Sequence, residues 1–202
     1  MKVLLIGATG RLGRPILREL RSRGHEVSVL ARDPEPLREE FPDVVATAGD
    51  AFDRDTVASA AAGVDAIISS VAMRDEAQRG RSAVDLTRTI GSVAAEQGVR
   101  WLSMGGAGRL QVAPGVQFVD TPDFPEVAKP ESLGFRAALE QLKHDAPAQL
   151  QWTVLSPPVF IDPDGERTGT YRVGSHELLR AADGSSRFSR PWRRNWPSTT
   201  YG

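Results

Sequence analysis

Three glycines, Gly7, Gly10 and Gly13, follow the apolar run Val3 to Ile6 in the stretch KVLLIGATGRLG. Glycine at such spacing lets backbone N–H groups close on an anion. Gly7 permits a sharp turn, Gly10 a close approach of backbone to ligand, and Gly13 tight packing of a helix on a strand. The residues that follow, RPILRELRSRG, place Leu12, Ile16, Leu17 and Leu20 at helical spacing. A buried strand, a glycine turn and a helix thus put open N–H groups and the positive end of a helix dipole where the strand stops. The guest that suits them is a phosphate or pyrophosphate. The spacing is GxxGxxG rather than GxGxxG and alone would serve an ordinary turn; the strand before it and the helix after it favour a dinucleotide.

The end of the second strand bears on which dinucleotide. An acidic residue there accepts from a ribose 2′-hydroxyl, whereas an arginine pairs with a 2′-phosphate. Arg32 and Asp33 stand side by side. Asp33 precedes Pro34 and suits a helix cap, which leaves Arg32 free for a 2′-phosphate, with Arg11 as a second partner. NADP(H) is therefore expected over NAD(H). Other strand ends add Asp50 and Ala51, then Ser70, Val71 and Ala72, then Ser156 and Pro157. Asp50 either meets the adenine amino group or serves a turn. Ser69 and Ser70 are placed beside the cofactor ribose. Lys129 is near enough to touch cofactor or substrate, or is an exposed loop residue.

One absence shapes the chemistry. A Tyr-x-x-x-Lys pair, in which lysine lowers the tyrosine pKa for proton exchange with an alcohol or carbonyl, does not occur. The chain has two tyrosines; Ser175 stands four residues after Tyr171, and Tyr201 is next to last. Three histidines, His25, His144 and His176, lack metal-ligand spacing.

These residues need a frame. Strand patterns over Val3–Ile6, Glu26–Ala31, Val44–Thr47, Val64–Val71 and Val99–Met104 alternate with helical patterns after Gly13, after Pro34, over Asp55–Ala62 and over Ser82–Gly98. Asp53 is placed to cap the third helix. Such alternation predicts an α/β fold, a doubly wound parallel sheet whose ligands sit at the carboxyl ends of the strands. Gly105 to Pro130 breaks the rhythm with a long loop, of the kind that often serves function. A helix over Ser132–His144 and a sixth strand over Trp152–Leu155 follow, and then a less regular stretch, Thr168 to Leu179.

Composition narrows the field. The chain has 202 residues, 40% of them hydrophobic, and a net charge of -1, which argues against a general nucleic-acid or anionic-membrane surface. Without cysteine it has no disulfide, thiol nucleophile or thiolate metal ligand. The apolar N-terminal run is too short for a signal-peptide core, and no stretch reaches a membrane span. A cytoplasmic protein acting on a small molecule is expected, with an oligomer open.

GATGRLG, VLARDP, Gly49 to Asp53, GGAG, DTPDFP, WTVLSPP and GERTGTYR together resemble the NmrA-like, atypical short-chain dehydrogenases of the NAD(P)H-flavin reductase group, from Met1 to about Phe188. The resemblance implies a Rossmann fold with sheet order 3-2-1-4-5-6. It also implies NAD(P)(H) at Gly7, Thr9, Gly10, Arg11, Leu12, Gly13 and Arg32. The group is similar to the flavin-reducing biliverdin reductase B. That protein's histidine before the sixth strand falls near Phe135 here, and its serine after the fifth near Gly106. Hydride transfer to a flavin or quinone stacked on the nicotinamide needs no acid–base pair. The expected slot is walled by Ala72, Ser103 to Ala107, the 120–125 loop and Ser156 to Val159. A non-catalytic redox sensor is the alternative, whereas a sugar-nucleotide epimerase would need the absent tyrosine pair.

Residues 1–189 are thus expected to form one domain with a small irregular C-terminal region. Arg190 to Gly202 departs from the family pattern, as either a basic–aromatic tail around Trp192 and Trp196 or a replaced terminus.

Overall fold

The computed structural model describes residues 1–74, 76, 79–162 and 170–189. The tail from Arg190 lies outside the described residues, as does much of GERTGTYR. Strands β1 (Lys2–Ile6), β2 (Glu26–Ala31), β3 (Val45–Ala48), β4 (Ala66–Ser69) and β5 (Arg100–Met104) alternate with helices α1 (Gly13–Ser22), α2 (Glu35–Glu40), α3 (Arg54–Ala60) and α4 (Ala83–Gln97). A two-stranded hairpin, β6 (Gln111–Ala113) and β7 (Val116–Gln117), precedes α5 (Lys129–Asp145) and β8 (Trp152–Leu155). Two short parallel strands, β9 (Phe160–Asp162) and β10 (Arg187–Ser189), stand apart.

The main sheet has six strands in the order β3-β2-β1-β4-β5-β8, each pair parallel. This is the expected Rossmann order, with β8 as the sixth strand of the sheet because the hairpin intervenes in sequence. Burial explains the pattern. Val3 to Ile6 are all buried, as a strand covered on both faces must be. Leu5, Leu17, Val29, Leu37 and Phe41 pack on the α1–α2 face. Leu4, Ile67, Ile90, Val93, Trp101 and Leu142 pack on the α3–α4–α5 face.

Local signals end the elements where the side chains dictate. The Asp53 carboxylate accepts the Thr56 N–H at 2.8 Å and caps α3. Ser82 and Asp85 form a reciprocal capping box on α4, and Gly98 closes that helix in the left-handed conformation. Asp33 accepts the Glu35 N–H at 3.1 Å, so it shapes the turn into α2, with Pro34 next to the helix. α5 begins at Lys129, three residues before the sequence pattern suggests, because Pro130 fits a first helical turn.

The long loop from Gly105 builds a small core of its own from Leu110, Phe118, Val119 and Phe124, closed by Leu178 from a distant stretch. The Phe118 and Phe124 rings meet edge to face at 5.0 Å. Backbone bonds between Gln111 and the His176–Leu178 segment clip the two stretches together. Asp120 accepts from Arg136 at 2.9 Å, which ties the loop to α5.

Candidate functional site

Sheet order reverses between β1 and β4, and the carboxyl ends of these two strands face each other across the switch point. Gly7 turns there with φ +86°. A Cβ on it would lie 2.7 Å from the Ser70 carbonyl carbon, closer still to that carbonyl oxygen, and 3.2 Å from the Val71 nitrogen. A Cβ on Gly13 would press into the Gly7 carbonyl and lie 2.8 Å from Ala8 Cα. Backbone atoms surround both positions, so neither tolerates a side chain without a shift of the chain. At Gly10 the nearest atom is the Gly7 oxygen at 3.2 Å. The Gly10 N–H donates to that oxygen at 3.1 Å and tightens the turn.

The helix beyond begins at Leu12 with no side-chain cap. In its first turn the Arg14 N–H donates to the Gly10 carbonyl at 3.2 Å and Pro15 has no N–H, so the helix offers an anion the N–H groups ahead of Arg14 and the positive end of its dipole. Thr9 and Arg11 are exposed at the rim. Ser70, Val71 and Ala72 continue from β4 alongside the turn, and the Ser70 N–H donates to the Ile6 carbonyl at 2.8 Å. Ser69, by contrast, points into the core. Its hydroxyl accepts the Trp101 indole N–H at 2.9 Å and meets the Ser103 hydroxyl at 3.2 Å. It is therefore not a ribose ligand.

On the β2–β3 side the structure corrects the expectation that Arg32 is free. Arg32 Nη1 donates to Glu76 Oε1 at 2.9 Å. Arg81 pairs with Asp50 at 2.6 Å and lies 3.5 Å from the second oxygen of Glu76. Its guanidinium also rests over the Phe52 ring at 4.8 Å. Burial works to raise the Asp50 carboxyl. The Phe52 N–H and the Arg81 guanidinium outweigh it and hold the group below its ordinary value. Asp50 thus has both oxygens engaged within the protein, as a turn residue does, beside Ala51.

At the other end of the crevice, Ser156 and Pro157 leave β8. Arg109 Nε donates to Ser156 Oγ at 2.8 Å and Nη2 to the Val154 carbonyl at 3.2 Å. Among the described residues no ion pair engages Arg109. Desolvation pushes its pKa down. A small cavity between Ser103, Gly105, Arg109, Phe135 and Val154 lies there. A Cβ on Gly106 would lie 3.8 Å from Phe135, so the two positions singled out by family resemblance do face each other. Ser132 Oγ comes equally close to Gly106 and is a polar neighbour that the sequence did not mark. Glu131 accepts the Met73 N–H at 2.8 Å and fastens α5 to the exit of β4.

Lys129 pairs with Glu126 at 3.0 Å, and Tyr171 is 81% exposed. Among the described residues no cluster of metal-ligating side chains occurs, and no helix is long and apolar enough to cross a membrane. Glu76, Arg81 and Arg109 stand among these strand ends and were not marked in the sequence. Arg109 had a signal, its place directly after GGAG; Glu76 had none.

A parallel sheet with this order, and a glycine cradle at its switch point, define a Rossmann-type dinucleotide-binding domain. The sequence model of a family described as NAD(P)H-binding matches residues 7–187. The chain belongs to that family, in keeping with its resemblance to NmrA-like, atypical short-chain dehydrogenases. It is 31% identical to the uncharacterized protein YwnB of Bacillus subtilis over 94% of this chain and 86% of the other. Its fold is similar to that of a Burkholderia pseudomallei protein, with a TM-score of 0.81 and 38% identity over 94% of this chain and 87% of that one. It is also similar to a Streptococcus pneumoniae protein described as a "putative NADH-flavin reductase", with a TM-score of 0.79 and 30% identity over 94% and 87% of the two chains.

Proposed function

We propose that this protein is an NAD(P)H-dependent oxidoreductase that passes hydride to a flavin or quinone-type acceptor. The observation that carries the reading is the cradle at Gly7 and Gly13, where a Cβ would collide with backbone beside the uncapped start of α1. In this reading Gly7, Thr9, Gly10, Arg11, Leu12 and Gly13 hold the pyrophosphate. The rim at Arg32, Asp50 and Ala51 lies under the adenosine half. Ser70, Val71, Ala72, Ser156 and Pro157 line the nicotinamide half. Bound nicotinamide supplies the hydride.

The protein's own contribution is position and a dry slot. Phe135 supplies an apolar face, Gly105 and Gly106 leave the backbone beside it free of side chains, and the small core of the long loop stiffens its rim. Arg109 adds positive charge at the acceptor end, where reduction leaves negative charge on a flavin or quinone. The acceptor gains one hydride, and solvent supplies the proton that completes the two-electron reduction. No tyrosine–lysine pair is required. The flavin reductase name borne by the Streptococcus relative supports this acceptor class.

Steady-state and stopped-flow oxidation of NADH and NADPH with FMN, FAD, riboflavin and quinones tests the proposal. Turnover with one of these acceptors is expected. Cofactor binding without oxidation by any of them would overturn the reductase reading in favour of a nucleotide-binding regulator.

A further inference from the structure

The cluster at the adenosine end holds a buried carboxylate that the hydride chemistry does not use. Glu76 is 3% exposed, yet it belongs to the connection between β4 and α4. Oε1 accepts from Arg32, whose side chain is 57% exposed, at 2.9 Å. Among the described residues Oε2 is buried without a hydrogen-bond donor, and Arg81 Nη1 lies 3.5 Å from it. Arg81 in turn pairs with Asp50. Within this cluster the charges of Arg32 and Arg81 are balanced by those of Glu76 and Asp50, at the rim where a cofactor 2′-phosphate would lie.

We propose that Glu76 determines which nicotinamide cofactor the protein takes, by occupying and neutralising Arg32 so that a 2′-phosphate is disfavoured. The inference rests on the cofactor site proposed above. A desolvated carboxylate that loses one partner costs far more than an exposed pair gains, so Arg32 stays with Glu76. A dianionic phosphate arriving at Arg32 meets a guanidinium that already donates through Nη1 to Glu76, with that carboxylate's negative charge fixed beside it. A ribose hydroxyl carries no charge and pays no such penalty. Arg32 thus resembles the 2′-phosphate partner of an NADPH enzyme in the sequence but not in its electrostatics.

Equilibrium binding of NADH and NADPH, followed by calorimetry at fixed salt, tests this without turnover. The wild-type protein is expected to bind NADH at least as tightly as NADPH. Glu76→Gln keeps the side-chain shape and removes the charge. It should raise the ratio of NADPH to NADH affinity by about tenfold or more, a modest effect for relief of one like-charge contact. Glu76→Ala should move the ratio the same way. Tighter wild-type binding of NADPH than NADH overturns the proposal whether or not the variants fold. So does a ratio unmoved or lowered in a folded Glu76→Gln protein, which would make Glu76 a positioning residue for Arg32. Failure of the wild type to bind either nucleotide would overturn the cofactor reading itself, and this inference with it.

Discussion

Alanine at Gly10 should leave the fold standing and weaken cofactor binding, whereas alanine at Gly13 should damage the fold. A Cβ at Gly10 meets the Gly7 oxygen at 3.2 Å and the Ser70 oxygen at 3.7 Å, so the turn must give by only a few tenths of an ångström. Gly10 is not among the glycines with positive φ, so alanine suits its backbone. The lower entropy of the unfolded chain returns about 0.4–1 kcal/mol. The net change is then within about 1 kcal/mol, or about 2–4 °C in melting temperature for a domain of this size. At Gly13 the obstacles are the backbone of Gly7 and Ala8, which cannot rotate aside, and α1 must lift from β1. That costs about 1–3 kcal/mol. NADH at a hundred times its dissociation constant should stabilise the wild type by about 2.7 kcal/mol, or about 5–11 °C. If the Gly10 methyl weakens binding tenfold, the same concentration gives about 1.4 kcal/mol. Thermal melting of both variants with and without NADH reads all of these quantities. Equal stabilisation of Gly10→Ala and wild type by NADH would refute the claim that the cofactor packs on this backbone.

Arg109→Met should slow acceptor reduction at least tenfold while nucleotide binding stays within about twofold, since only charge at the acceptor end is lost; unchanged kcat would remove Arg109 from the chemistry. Ser82→Ala deletes the α4 capping box and should cost about 1 kcal/mol in urea unfolding. Trp101→Phe removes the bond to Ser69 and part of a buried side chain, for about 1–3 kcal/mol measured the same way. Asp50→Asn should lower the melting temperature at neutral pH. Because the folded Asp50 pKa is depressed, its contribution is complete above the ordinary carboxylate range near pH 4 and fades as pH falls through the folded value. Melting curves of variant and wild type should therefore converge in acid, and a gap that persists there would refute the assignment.

Much of this fold is legible along the chain because its signals are local. Glu26–Ala31 and Trp152–Leu155 form strands with the bounds their apolar runs suggest, and Asp53 and Ser82 mark helix starts by side chains that reach only three residues ahead. The glycine cradle is legible for the same reason. The fourth strand is shorter than its apolar run at both ends, and at its exit the Ser70 carbonyl and the Val71 nitrogen wrap Gly7. What the sequence conceals is pairing at a distance. Arg32 and Glu76 are 44 residues apart, and nothing in the spacing of either shows that one neutralises the other. Arg109 likewise finds its acceptors 45 and 47 residues away, on and just beyond a strand that joins the sheet last.

The indole of Trp101 is 1% exposed, bonded to Ser69 and set next to Trp152 across the β5–β8 ladder. These are two of the four tryptophans in the chain. A rigid, dry indole emits toward the blue, and reduced nicotinamide absorbs in the same region. Energy transfer from this pair to a dinucleotide lying across the ends of β1 and β4 would quench the protein's own emission. The protein thus carries an optical probe beneath its crevice, with no label to attach. Occupancy by reduced cofactor can be followed in real time, separately from any reaction that consumes it.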